Sequence, residues 1–144
     1  MKIEYQKLHA EAVPPQRMSK YAAGYDLFAC LEEEILLKPQ QRIAVPTGIA
    51  LAIPVGYEAQ VRPRSGLALN LGMGILNAPG TIDSDFRGEI KVILINLGNQ
   101  QLTISPQMRI AQIIFSKVET ADFVLSESLE ATERGAGGLG HSGH

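Results

Sequence analysis

The chain has 144 residues, 45% of them hydrophobic and 19% charged, a balance that suits one folded domain with a real core and excludes an intrinsically disordered chain. Its formal net charge of −2 excludes a general attraction to nucleic acid or an anionic membrane, so any polyanion it holds must be gripped by a few placed cations. Cys30 is the only cysteine and the histidines are scattered, which excludes an intrachain disulfide and a cysteine-based zinc site and gives histidine metal ligation little support.

In chain order, MKIEYQKLHAEA alternates polar and apolar residues and lacks the apolar core of a secretion signal, so a cytoplasmic protein is expected. Residues 2–8 form the first candidate strand. In AAGYDLFAC (22–30), Asp26 stands between aromatics next to a glycine, where a polar side chain either finds a partner or sits at a strand end. Residues 34–37, 41–45, 48–53 and 58–62 are short runs rich in Ile, Val and Leu, separated by turn formers such as KPQ and IPVG. The longest apolar region, residues 43–57, is broken by Pro46, Thr47, Gly48, Pro54 and Gly56 and is unsuited to cross a bilayer as a helix.

RSGLALNLG supports one short helix, with Ser65 as its N-cap and a turn or two through Leu67, Ala68 and Leu69. Its start would present free backbone N–H groups and a partial positive charge, with Arg64 immediately before it. Both an anion site and simple capping beside a surface arginine fit this stretch. LNAPGTIDSDFRGE (76–89) follows, where Pro79-Gly80 and Arg87-Gly88 bracket a hairpin-like loop whose exposed N–H and C=O groups could pair with the edge of a base. Asp83 follows an apolar residue and is expected to be partly shielded and suited to orienting a water. Asp85 completes a D-x-D, and turn aspartates, a weak divalent-cation pair and charges guarding a strand edge compete as explanations.

Residues 89–96, 101–104 and 109–118 complete the candidate strands. EIKVILIN and RIAQIIFSKV are nearly continuous in apolar residues, which predicts strands covered on both faces, within a sandwich or at a subunit contact. Arg109 and Gln112 lie among strongly apolar neighbours in the second, where structural roles are expected. No stretch sustains helical periodicity and no repeat is evident, so the fold class is all-β, a sandwich or jelly roll. The chain ends in RGAGGLGHSGH, with almost nothing to bury: a frayed end, a remnant, or a flexible arm.

Five blocks, AGYDL, PRSGLAL, GTIDSDFRGE, RIAQIIF and RGAGGLGHSG, run in that order between residues 22 and 143 and resemble the motifs of the trimeric dUTP pyrophosphatase (dUTPase) family. The resemblance implies a jelly-roll-like β-sandwich or barrel over residues 1–133, with one very short helix after PRSG. It also implies a glycine-rich arm, 134–144, closing over the active site of a neighbouring subunit in a homotrimer. Such enzymes hydrolyse dUTP to dUMP and pyrophosphate with Mg²⁺, keeping uracil out of DNA and supplying dUMP for dTMP synthesis.

Carried over motif by motif, Asp83 would activate the water that attacks the α-phosphorus and meet the deoxyribose 3′-hydroxyl. Arg64, Ser65 and Gly66 would grip the phosphates, Gln112 would contact them, and Asp26 would hold hydrated Mg²⁺ through water. Asn77, Thr81, Ile82 and Lys91 match nucleoside-contacting positions, largely through backbone. From the arm, Arg134 would pair with the terminal phosphate, Leu139 would cap the uracil, and glycines including Gly140 would let the backbone wrap the triphosphate.

Three residues depart from the family pattern. Phe86 replaces a tyrosine thought to lie under the deoxyribose, Leu139 replaces a phenylalanine, and His141 replaces a small hydroxyl residue. Loss of the aromatic cap at Leu139 costs about 1 kcal/mol of stacking and predicts a raised KM. A dCTP deaminase of the same fold is disfavoured by the PRSG form, Asp83 and the glycine-rich last block. A catalytically silent jelly-roll trimer is disfavoured because Asp83, Arg64 and Arg134 are all present. No P-loop pattern occurs.

Overall fold

The computed structural model describes residues 1–138. Short runs dense in Ile, Val and Leu, each cut off by proline or glycine, are too brief for amphipathic helices and find their hydrogen-bond partners across the chain instead. The strands are β1 (Glu4–Lys7), β2 (Tyr25–Phe28), β3 (Ile35–Leu37), β4 (Arg42–Pro46), β5 (Ile49–Ala52), β6 (Tyr57–Arg62), β7 (Met73–Ile75), β8 (Gly80–Ile82), β9 (Lys91–Asn96), β10 (Leu102–Ile104) and β11 (Arg109–Lys117). One helix, α1 (Ser65–Leu71), separates β6 from β7.

All the strand pairings are antiparallel, in the orders β2-β11-β6-β8, β4-β9-β7, β1-β5 and β10-β3. Neighbours in a sheet are rarely neighbours in sequence, so the connections cross between sheets in the manner of a jelly roll. Leu27, Val45, Ile49, Val92, Leu94, Ile104, Ile110 and Ile113 fill the space between the layers. Asn96 is the buried polar tie: its amide donates to the carbonyls of Leu37 (2.9 Å) and Gln100 (2.8 Å) while its oxygen accepts from Gly98 N (2.9 Å). No helix among the described residues is long and apolar enough to cross a membrane.

Eight expected strands are present, each end within two residues of its expected position, whereas β2, β7 and β8 were not foreseen. Those three are only three or four residues long, and two contain glycine. They exist because β11, β9 and β6 supply ready edges. Of the two apolar runs expected to be covered on both faces, β9 alternates buried Val92, Leu94 and Asn96 with half-buried Ile93 and Ile95. Its second face is thus only partly covered within one chain.

Two local expectations are corrected. The N-cap of α1 is Arg64, with extended backbone and no capping side chain, and Ser65 is the first helical residue. Residue 64 is extended, at φ −90° and ψ 126°, while its carbonyl already accepts from Ala68 N at 3.0 Å, so the cap falls one residue earlier than expected. Gly72 ends the helix in the left-handed region at φ 67°, its N–H bonding the Ala68 carbonyl at 3.0 Å. Nor do residues 79–88 form a hairpin: Gly80 already belongs to β8, opposite Val61, and residues 83–90 cross from that sheet to β9 in the other.

Candidate active site

Asp26 occupies the middle of β2 and is buried. It shares a row with Gln112 of β11 and Arg62 of β6, on the face turned away from Leu27, Ala111 and Ile113. A buried carboxylate demands partners, and two guanidinium groups supply them. Arg64 Nε lies 3.4 Å and Arg109 Nη1 3.2 Å from the same oxygen, Asp26 Oδ2. Arg64 Nη1 also donates to the Arg109 carbonyl at 3.0 Å. Beside them Gln112 Nε2 donates to the Pro63 carbonyl at 2.9 Å, which ties β11 to the segment that carries Arg64. Gly24 leaves room for that amide, because a Cβ there would overlap Gln112 Oε1.

Arg109 reaches this face through an irregularity. Alternation along β11 would send it to the core side with Ala111 and Ile113. The register slips between Arg109 and Ala111, where consecutive Ile110 and Ala111 are both buried, and the bulge turns Arg109 opposite Phe28 instead. No local signal in MRIAQIIF marks that slip, which is why Arg109 read as merely structural. The clue within reach was chemical: an arginine bordering an apolar strand needs a carboxylate, and Asp26 equally needs a cation.

The second group lies around β8. Thr81 and Asp83 are exposed and Ile82 is half-buried, so the expected shielding of Asp83 is not found in the single chain. The reason is that the loop leaves the sheet edge at this residue. Phe86 N donates to the Asp83 carbonyl at 3.2 Å, and Arg87 Nη1 donates to the carbonyls of Ser84 (2.7 Å) and Phe86 (2.9 Å), which fixes the turn. The Phe86 ring lies over Gly88, where a Cβ would come within 2.6 Å of Cζ. Asn77 and Lys91 are both exposed. Asn77 lies in the turn before β8 and Lys91 starts β9, with Nζ 3.6 Å from Glu89 Oε2.

The two groups are far apart. Asp26, Gln112 and Arg62 form one row, whereas Ile82 pairs with Ala59 towards the other end of β6, and Asp83 follows it off the sheet edge. At about 3.3 Å per residue and 4.8 Å per strand, Asp83 stands roughly 20 Å from Asp26. Arg134 is exposed further along the chain, with Nε donating to the Gly137 carbonyl at 2.7 Å. An apolar cavity of about 340 Å³, lined by residues including Tyr5, Tyr25, Leu51 and Phe115, contains none of the expected site residues.

The family model described as dUTPase matches residues 10–143. The chain belongs to the dUTPase family. It is 52% identical over 141 residues to the deoxyuridine 5′-triphosphate nucleotidohydrolase of Syntrophotalea carbinolica, covering 98% of this chain and 96% of that one. The protein of the same name from Chlamydia pneumoniae is 58% identical over 130 residues, covering 90% of each. Among solved structures, a G164S variant of Staphylococcus bacteriophage 80alpha dUTPase with dUpNHpp superposes with a TM-score of 0.89 at 26% identity, covering 99% of both chains. The all-β, jelly-roll-like architecture is therefore that of the dUTPases.

Against the dUTPase expectations, one chain brings together Asp26, Arg64 and Gln112, adds Arg109, and leaves Asn77, Thr81, Ile82, Asp83, Phe86 and Lys91 elsewhere. Ser65 and Gly66 open α1 beside Arg64 and are exposed. Leu139, Gly140, His141 and Ser142 lie outside the described residues. Among the described residues no group of three or more His, Cys, Asp or Glu could cage a metal. Asp26 is the carboxylate on the phosphate-grip face, and Mg²⁺ keeps several waters and is commonly carried by one or two carboxylates and the substrate phosphates. Burial, then Glu89 and Glu11 nearby, push the Cys30 thiol up, so it offers no activated nucleophile.

Proposed function

We propose that the chain hydrolyses dUTP to dUMP and pyrophosphate, in a homotrimer whose active sites are shared between subunits. The observation that carries the reading is Arg64, anchored on buried Asp26 at the mouth of α1, in a chain of the dUTPase family. Arg64 presents a fixed cation for phosphate, and the backbone N–H groups of Ser65 and Gly66, at the helix start, lack helical acceptors and add donors. Gln112 lies beside them to meet the same phosphates.

Asp83 acts as the base, orienting a water and taking its proton as the oxygen attacks the α-phosphorus. Water is the nucleophile, so no covalent enzyme intermediate is required and Cys30, its thiol raised by burial, takes no part in the step. Phe86 stacks under the deoxyribose, and Asn77, Thr81, Ile82 and Lys91 surround the nucleoside. Asp26 holds hydrated Mg²⁺ through water, and that ion supplies neutralisation of phosphate charge when bound. Residues 134–144 act as an arm: Arg134 meets the terminal phosphate, Leu139 covers the uracil, and Gly140 lets the backbone approach closely. Hydrolysis of this kind limits uracil incorporation into DNA and supplies dUMP.

Sharing of sites between subunits is supported by the separation of Asp83 from Asp26. A base roughly 20 Å from the phosphate grip cannot serve it within one chain, whereas a second copy can bring its own Asp83 to the cluster. Phe123 and Leu125, each 99% exposed, and Leu129, 89% exposed, are apolar side chains that one chain leaves bare, as expected of a subunit contact. The test is pyrophosphate release with Mg²⁺ from dUTP, dCTP, dTTP and UTP in separate reactions. Turnover of dUTP well above the other three is expected; equal rates with all four, or none with dUTP, reject the proposal.

A further inference from the structure

We infer that Arg109 is a positioning residue that holds Arg64 ready for the polyphosphate, acting through Asp26 and through its own carbonyl; the inference rests on the dUTP reading above. Arg64 is anchored at two points, Asp26 Oδ2 and the Arg109 carbonyl. Both points depend on residue 109. Its carbonyl is one of them, and its Nη1 pins the carboxylate oxygen that forms the other.

An arginine has several rotatable bonds, and a solvated one loses much rotamer freedom when it meets a phosphate. Anchoring its Nε and one Nη before substrate arrives removes that loss from the binding step. The remaining N–H groups of the fork stay available. Asp26 alone would suit this task poorly, because a carboxylate oxygen held by a single donor can swing about the χ2 bond, whereas a second donor on the same Oδ2 from another strand restricts it. Arg109 stops that motion, and the β11 bulge is the feature that brings it to the correct face. The two cations could not lie so close without the carboxylate between them. Each residue of the triad therefore sets the position of the other two.

The test is a double-variant cycle, with dUTP turnover and calorimetric binding of dUpNHpp as readouts. Absence of wild-type dUTP turnover overturns the functional reading on its own, before any variant is compared. With turnover present, Arg109→Gln is expected to lower kcat/KM about tenfold, mainly through KM, and to weaken dUpNHpp binding by a similar factor, the scale of one charge-assisted hydrogen bond. In an Arg64→Gln background the same change should cost less than about twofold, because its route through Arg64 is already gone. Arg109→Lys should recover most of the loss, and Arg109→Met serves for the cycle if Arg109→Gln melts early. Two losses that simply multiply would mean that Arg109 meets the phosphates itself and would overturn the inference. So would an Arg109→Gln variant with unchanged KM and Kd.

Discussion

Replacing Asp26 by asparagine keeps the shape of the side chain and removes its charge, which isolates the ion triad at the centre of the site. Arg64 Nε and Arg109 Nη1 lie 3.4 and 3.2 Å from Oδ2. With an effective dielectric of about 20, Coulomb attraction at such distances is on the order of 5 kcal/mol per pair. Most of that is lost to water, since the side chains of Arg64 and Arg109 are 26% and 43% exposed. The cost of burying the carboxylate offsets more, leaving roughly 1 kcal/mol for each link. The asparagine oxygen still accepts a hydrogen bond, but two guanidinium groups then face each other with no counter-charge. Asp26→Asn is therefore expected to destabilise the protein by about 2 kcal/mol, a fall in Tm of roughly 4–8 °C for a chain of this size. Differential scanning calorimetry without nucleotide or metal, at matched protein concentration, measures it. The difference should shrink as salt is raised. An unchanged or higher Tm would refute the reasoning, because burial of the charge would then outweigh its pairing.

Asp83→Asn should lower kcat by about a hundred- to ten-thousand-fold, the usual contribution of a positioned general base, with dUpNHpp binding close to wild type by calorimetry; normal turnover would assign the base elsewhere. Ending the chain at Glu133 should leave circular dichroism and the melting transition intact, since none of the described residues it removes, 134–138, is buried. The same truncation should cut kcat/KM by at least about tenfold through loss of the Arg134 contact, and full activity without those residues would deny the arm its role. Gly24→Ala places a Cβ against Gln112 Oε1 and 3.3 Å from Gln112 Cβ and Cδ, which forces the amide off the Pro63 carbonyl. The lost hydrogen bond is worth about 1 kcal/mol, or roughly 2–4 °C in Tm, and an identical melt would show that Gln112 is not held there. Because burial, Glu89 and Glu11 raise the Cys30 pKa, less thiolate is present at any given pH. Disulfide exchange with DTNB at about pH 8 should thus be slower than for free glutathione and keep accelerating after glutathione levels off; an equal or faster rate would contradict the assigned environment.

Local chemistry in the sequence determined that this is a strand protein. Residues 91–96 and 109–117 are rich in apolar, β-branched residues over a strand's length, with Gly88 and Gly98 flanking the first and Pro106 preceding the second. The order of the five blocks likewise pointed to the dUTPases without any geometry. Properties that depend on residues close in sequence can be read there, and propensity, turn chemistry and motif order are of that kind. Pairing is not. β7 and β8 are strands only because β9 and β6 accept them. The slip between Arg109 and Ala111 depends on how β11 matches β2, and it moves a guanidinium from the core side to Asp26. Likewise AAGYDLFAC and TIDSDFRGE each present an aspartate near aromatic residues, and nothing local separates their surroundings. Sheet order and register alone bury Asp26 between two arginines and carry Asp83 to the far end of β6, because a register is decided by the packing of whole strands, with every side chain on them changing face at each one-residue slip.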